Sequence, residues 1–401
     1  MTGIFIFSYY ELMNKFLTPD EVAKCISALI ARNKLWAKKK VHISFIVNKT
    51  AGCFTNKKKS EQYAKLFDAK LNSVASEPEC TSQISYKILS TQYQGHAREL
   101  TVGVIAEHIA LEDKNSETVL VTCGGDGTCL EVQETLYKES QVDIKKKETI
   151  LNNITLLRLP LGTGNDGTDG HSIQECFDLL QSQLVYKNIP AIKVYPENTP
   201  SDLELAESEK KVAKIPAKYG DPNYKFPWFG FNIVSIGLDA YVVYLSNVMK
   251  RILPGEFYHI AVPISALRFN KDFKPGLAKI EFYDQNDDRF DDVSGGITLF
   301  AFGASGNRVY GGGQKVLPDE NNICYTPKMN IFKIIKESKG YSKGLHFKAG
   351  LSQAFSANKV RISYDMPILL QCDGEVAMLS PAHFPLIIEK TAPCVRVLCK
   401  V

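Results

Sequence analysis

The sequence predicts a doubly wound α/β domain built on a parallel sheet, followed by a second domain rich in short strands. Three observations carry that prediction. Apolar runs of strand length alternate with helical patterns through the first half, joined by short glycine turns. One run, Val119-Leu120-Val121, breaks into Gly124-Gly125-Asp126-Gly127-Thr128 and feeds a helical pattern from Leu130. Beyond Phe229 the texture changes to short strands separated by turns. A chain of 401 residues, 44% of them hydrophobic, is long enough for two such domains.

The elements follow in order. Thr18-Pro19-Asp20-Glu21 is a helix start, with a capping hydroxyl, proline at the first helical position and acids in the first turn. Val22, Cys25, Ile26, Leu29 and Ile30 then recur at helical spacing, which favours a helix packed on its own domain. A helix lying in a membrane interface is the alternative. His42–Val47 is the first clear strand and ends in the polar turn Asn48-Lys49-Thr50-Ala51-Gly52, ahead of a helix from about Ser60. Ile84–Leu89 is the second strand, followed by Thr91 and a helix opening at Gly95-His96-Ala97; a structural role is expected for His96. Ile154–Leu159 leads into Pro160-Leu161-Gly162-Thr163-Gly164-Asn165-Asp166-Gly167. Residues 196–226 read as an inserted loop. The later strands are expected at 231–236, 278–283, 297–302, 330–335, 359–363, 369–372, 384–389 and 395–400, with helices near 239–251 and 259–268.

Composition removes several function classes. No segment is long and apolar enough to span a bilayer, and residues 1–9 lack the basic region and cleavage site of a signal peptide. The ten cysteines are scattered without a C-x-x-C pair, which argues against zinc and fits a reducing cytoplasm. A net charge of +4 is too mild to imply nucleic acid. The lysine clusters 38–40, 57–59 and 145–147 are most simply solvated, although an anionic membrane surface would also attract them.

Residues that could carry chemistry concentrate in the turns. Glycines let backbone approach a phosphate, and a helix N-terminus adds N–H groups and the positive end of a dipole. Asp126 among such amides would repel an anion unless a divalent cation lies between, so the stretch asks for a metal–nucleotide complex. A plain strand–helix turn with Asp126 as a local acceptor is the simpler reading of that stretch alone. Gly162-x-Gly164-x-x-Gly167 matches the dinucleotide fingerprint formally. The next strand, 190–194, has no acid at its tip, and Asp166 and Asp169 put carboxylates where a pyrophosphate would lie, which rules out a dehydrogenase. Farther on, Asp373-Gly374 would pass for a hairpin turn. With Glu375 it also places two carboxylates at the ends of apolar strands, where either could serve as a base.

Together these segments resemble the diacylglycerol kinase catalytic domain family, which includes bacterial lipid kinases and the sphingosine and ceramide kinases. The resemblance runs from about Val41 to the C-terminus. It rests on Asn48–Gly52, on Thr91 with Gly95-His96-Ala97, on Gly124–Thr128 with Glu131-Val132, on Pro160–Asp166, and on Asp373-Gly374-Glu375. It implies an NAD kinase-like α/β domain over 41–190, to which strands at about 385–401 return. A β-sandwich lipid-substrate domain over 191–384, a cleft between the two, and an extension over 1–40 complete the organisation. ATP would be held by Asn48, Lys49, Thr50, Ala51, Gly52, Thr91, Gly124, Gly125, Asp126, Gly127, Thr128, Glu131, Gly162, Thr163, Gly164, Asn165 and Asp166. Asp126 would orient Mg²⁺, and Asp373 or Glu375 would accept the proton of the lipid hydroxyl.

The implied activity is transfer of the γ-phosphoryl of Mg-ATP to a diacylglycerol-like or sphingoid lipid, by a cytoplasmic protein at the inner membrane face. A kinase for a soluble substrate such as NAD, or a non-catalytic nucleotide- or lipid-binding module, is the alternative. Three departures from the family pattern stand out. Leu130 replaces a polar residue, Lys49 replaces a proline, and Gly167-Thr168 replaces an aromatic after Asn165-Asp166.

Overall fold

Runs rich in β-branched and aliphatic residues form strands covered on both faces, and three such runs with a half-exposed edge strand build the sheet of the first unit. They are β1 (Lys40–Val47), β2 (Gln83–Ser90), β3 (Ser116–Gly124) and β4 (Ile154–Pro160), in the order β2-β1-β3-β4 and all parallel. The computed structural model describes residues 15–401 except 81–82, 114, 163–164, 213–224, 253–257 and 311–312. The chain divides into two units, one comprising residues up to Ile189 with Pro393–Val401 and the other Pro190–Ala392.

In the first unit, central β3 is buried along its whole length. On one face, Val41, Ile43, Phe45, Val119, Val121 and Leu157 form a core with Cys25 and Ile26 of helix Pro19–Arg32, Phe67 of helix Lys57–Val74 and Phe177 of helix Ile173–Gln181. Helices His96–Leu111, Asp126–Ser140 and Ile144–Asn153 pack on the other strands' face and on one another. The first helix carries the expected capping box, in which Thr18 Oγ1 accepts from Glu21 N and Glu21 Oε2 accepts from Thr18 N. Its apolar side is spent on this core, so it has no greasy face left for a membrane.

The end of the last strand, Leu386–Lys400, also belongs here, with Arg396 and Val397 opposite Thr155 and Leu156 of β4. Arg396 is buried, lies over the Tyr186 ring, and donates to Glu117 and to the Asn152 carbonyl. A paired, hydrogen-bonded guanidinium is one of the few ways to bury such a charge.

The second unit holds antiparallel sheets. One runs Gln353–Phe355, Ile323–Pro327, Ile297–Gly303, Ile233–Gly237, Ile368–Cys372, Glu375–Leu379. Another pairs Ala278–Tyr283 with Arg289–Gly295 and with Lys359–Tyr364, and the latter with residues 386–389. Their inward side chains share one core, Ile236, Phe300, Phe302 and Leu370 from the first sheet meeting Ile280, Phe282, Val360 and Ile388 from the second.

Several expectations need correction. Residues 330–335 are not a strand but the start of helix Ile331–Ser342. Asn330 Oδ1 caps it by accepting from Lys333 N (2.8 Å), Ile334 is buried against Ala266 and Met329, and Phe332 is 82% exposed. That is one-sided helical burial in what looked like a continuous apolar run. The insertion at 196–226 contains helix Asp202–Val212, opened by Ser201, whose hydroxyl accepts from Glu204 N. The strand expected at 231–236 is broken into Trp228–Gly230 and Ile233–Gly237, and those at 384–389 and 395–400 are one, Leu386–Lys400. Lysines 57–59 and 145–147, whose solvated reading implied loops, lie on helices Lys57–Val74 and Ile144–Asn153.

Two predictions follow from the core. Phe67 is fully buried and edge-on to Phe177 at 5.2 Å, so Phe67→Ala should destabilise by about 3–5 kcal/mol in chemical denaturation. Burial, with His42 and Arg396 nearby, holds His108 below its ordinary value of 6.5. The unfolded chain then takes up a proton that the folded chain refuses. Stability should be complete above pH 6.5 and fall as pH drops through the lower folded value. Melting curves of the parent and His108→Asn between pH 5 and 8 check this, with a shallower acid loss expected in the variant.

Candidate active site

The strand order explains why distant turns meet. β1 lies between β2 and β3, so the chain leaves β1 toward one side and returns on the other. Loops leaving the carboxyl ends of β1 and β3 therefore diverge, and an open α/β sheet takes its ligand in that crevice. Asn48–Gly52 follows β1, Thr91 follows β2, Gly124–Thr128 closes β3, and Gly162 follows β4. Four of the predicted segments thus lie along one sheet edge.

Backbone contacts lock them together. Asn48 N donates to Cys123 O (2.9 Å), Thr91 N to Val47 O (2.9 Å) and Cys53 N to Leu161 O (3.1 Å). Asn48 Oδ1 accepts from both Thr50 N (3.0 Å) and Thr50 Oγ1 (2.7 Å). Lys49 and Thr50 are exposed, Ala51 is buried, and Gly52 opens a single helical turn. Glu131 Oε1 accepts from Gly95 N (2.9 Å), tying the loop after β2 to the helix after β3. His96 has the structural role expected of it, with Nδ1 accepting from Gln92 N and its ring stacked on Tyr93.

The two glycine turns touch. A Cβ on Gly162 would lie 2.3 Å from Gly125 Cα, and one on Gly124 would lie 2.6 Å from Thr128 Oγ1. Only hydrogen fits at either place. Asp126 begins helix Asp126–Ser140 and is partly exposed, with Oδ1 accepting from Gly167 N at 3.3 Å. Gly127 is exposed and Thr128 buried. Asn165, at φ 65°, spends its amide on the loop itself, Oδ1 accepting from Gly162 N and Nδ2 donating to Gly162 O. Asp166 is partly exposed, whereas Thr163 and Gly164 lie outside the described residues.

Asp169, which looked like a charge in the ligand's path, is consumed by Arg158. It accepts from the backbone N (2.6 Å), from Nε (3.2 Å) and from the guanidinium NH2 (2.5 Å). Leu130 is buried, so the family departure there is a packing position. No group of three or more His, Cys, Asp and Glu side chains among the described residues could hold a metal ion. Asp126 is one partly exposed carboxylate at a helix N-terminus, and a Mg²⁺ carried by phosphates would need only one or two such protein ligands. The cysteines form no disulfide among the described residues, and burial pushes the thiols of Cys25, Cys53 and Cys129 up to about 12, which leaves those three inert.

In the second unit, Asp373-Gly374 is a two-residue hairpin with φ of 45° and 95°, closed by the pair Cys372 and Glu375. Asp373 also accepts from three successive amides, Phe231 N (2.5 Å), Asn232 N (3.1 Å) and Ile233 N (2.8 Å). That loop-anchoring role has no signature in the sequence, because its partners are backbone groups 140 to 142 residues away. Glu375 is exposed. Behind the hairpin runs a buried chain in which Gly374 N donates to Gln371 Oε1 (3.0 Å), Gln371 Nε2 to Ser235 Oγ (2.9 Å), and Ser235 Oγ to Asp239 Oδ2 (2.5 Å). Asp239 lines an apolar cavity with Leu238, Val242, Leu299, Met329 and Ile334.

With this geometry in place, the comparisons are informative. Residues 42–195 match the family described as the diacylglycerol kinase catalytic domain. A crystal structure from Bacillus anthracis str. Sterne, described as a “putative diacylglycerol kinase”, is similar with a TM-score of 0.51 and 19% identity, covering 90% of this chain and 96% of that one. At that identity the likeness speaks to the fold. A search of curated proteins finds no match.

The touching glycines give a direct test. Gly162→Ala should lower the melting temperature and abolish any thermal stabilisation by nucleotide, because its methyl must displace Gly125 backbone. Gly167→Ala, where a Cβ meets nothing within 4 Å, should leave both nearly unchanged.

Proposed function

We propose, from the match of residues 42–195 to the diacylglycerol kinase catalytic domain family, that the chain is an ATP- and Mg²⁺-dependent lipid kinase. Its reaction is transfer of the γ-phosphoryl group to the hydroxyl of a diacylglycerol-like or sphingoid lipid, at the cytoplasmic face of a membrane. The observation that carries the reading is the convergence of Asn48–Gly52, Thr91, Gly124–Thr128 and Gly162 on the carboxyl edge of one parallel sheet, with two glycines in backbone contact. The finer likeness of this unit to NAD kinase, and of the second unit to a β-sandwich lipid domain, belongs to the same reading.

Phosphoryl transfer is mostly positioning and charge neutralisation. Backbone amides of the Gly124–Thr128 turn and the N-terminus of helix Asp126–Ser140 face developing negative charge at no reorganisation cost. Asp126, with the nucleotide's own oxygens, would hold Mg²⁺, which when bound neutralises phosphate charge and polarises the transferred group. Glu131 and Asn165 act one step back, by fixing the loops that present those amides.

Of the two acids named for the base, this reading gives the proton to Glu375. Asp373 is held in place by three amides, and that anchoring supports the turn on which Glu375 stands. Glu375, exposed on the next strand, would accept the proton of the lipid hydroxyl.

The decisive assay incubates the protein with γ-labelled ATP, Mg²⁺ and mixed-lipid micelles and identifies the labelled lipid. Label on no lipid across a broad panel, with nucleotide still bound, would favour the non-catalytic module. Glu375→Gln should cut turnover by roughly 10²–10⁴-fold with ATP affinity kept. Asp373→Asn should abolish turnover and lower stability as well, because an amide cannot accept all three N–H bonds. Asp126→Ala should weaken binding of Mg-ATP while leaving metal-free nucleotide binding nearly unchanged, as read by calorimetry with and without magnesium.

A further inference from the structure

Among the lysines of the 57–59 cluster, one is only partly solvated. Lys59 is half-buried on helix Lys57–Val74 and donates to Gly162 O at 2.8 Å, the carbonyl of the glycine that touches Gly125. Its ammonium also lies 5.9 Å from the Tyr63 ring, and Tyr63 OH donates to Pro160 O one residue-pair back along the same loop. The other cations of this unit that approach its buried acids have carboxylate partners: Arg158 has Asp169, Lys39 and Arg396 share Glu117, and Arg98 and Lys138 share Glu134. Lys59 has none among the described residues. A half-buried ammonium with one acceptor and two unused donors, beside two glycine turns and a helix N-terminus, lacks a counter-anion.

We propose that Lys59 is the positioning cation for the polyphosphate chain, the residue that makes this site prefer a nucleoside triphosphate to a monophosphate. The inference rests on the nucleotide reading of the preceding section and adds the residue that sets phosphate number. Four negative charges on the triphosphate exceed what one Mg²⁺ cancels, and amides supply only partial charge. An ammonium already anchored to the Gly162 carbonyl needs no further ordering to meet a phosphate oxygen, and a charge-assisted bond of this kind is among the stronger hydrogen bonds available. The competing role is a purely structural clamp, in which Lys59 and Tyr63 fasten the loop after β4 through Gly162 O and Pro160 O.

Calorimetric titration of Mg-ATP, ADP and AMP into the parent, Lys59→Gln and Lys59→Arg separates the two. Glutamine keeps a donor for Gly162 O and loses the charge; arginine keeps both. The expected result is a loss of about tenfold or more for ATP in Lys59→Gln, a smaller loss for ADP, and AMP affinity within about twofold of the parent, with Lys59→Arg close to the parent throughout. Equal losses for ATP and AMP, or no loss for ATP in a variant that melts like the parent, would overturn the inference and leave the kinase reading standing. A parent protein that binds none of the three nucleotides would overturn both.

Discussion

Backbone contact between Gly125 and Gly162 is the constraint from which the site follows. Two turns leaving adjacent parallel strands come this close only because position 162 carries no Cβ, since a methyl on Gly162 would fall 2.3 Å from Gly125 Cα. Parallel strands alone do not produce this. The strands set the loops about one strand spacing apart, and the glycines then let backbone, rather than side chains, line the gap. Amide N–H groups exposed this way can face a phosphate without any residue having to move.

Much of the surrounding chemistry serves to keep that arrangement rigid. Asn165 folds its amide back on Gly162, Glu131 reaches across to Gly95, and Asp169 closes on Arg158. These side chains are polar and stand at or near the candidate site, yet each satisfies a backbone group or a charge that the tight turns would otherwise strand. Asp373 does the same in the other unit, gathering three consecutive amides into one carboxylate. Buried backbone donors must find partners, and a loop that has left its sheet finds them in carboxylates and amides.

This explains how far the sequence could be read. The α/β unit was legible because its inner strands are largely apolar and each ends in a glycine or small polar turn; the glycines of 124–128 and 162 announce a close approach even before their partners are known. Roles within the turns were less legible. Asn165 and Asp373 look like ligands to a reader who sees only residue type, because the backbone groups they hold lie elsewhere in the fold. Lys59 looks solvated for the opposite reason, being the innermost member of a run whose other two lysines are exposed. The strand expected at 330–335 failed on period: Phe332 and Ile334 suggest strand-like apolar continuity, and only the cap by Asn330 betrays a helix.

The same reasoning separates the two acids of the Asp-Gly-Glu turn. A residue forced into the left-handed region at φ 45° while its carboxylate is fully engaged with backbone is doing a structural job that few other residues could do. Its neighbour two positions on has ordinary strand geometry and an exposed side chain. The buried run from Gly374 through Gln371 and Ser235 to Asp239 then makes the turn stiff, so that whatever Glu375 meets, it meets from a fixed position. A general base gains most from that kind of support, since proton transfer depends on holding donor and acceptor within hydrogen-bond reach, and a side chain on a loose hairpin would spend most of its time elsewhere.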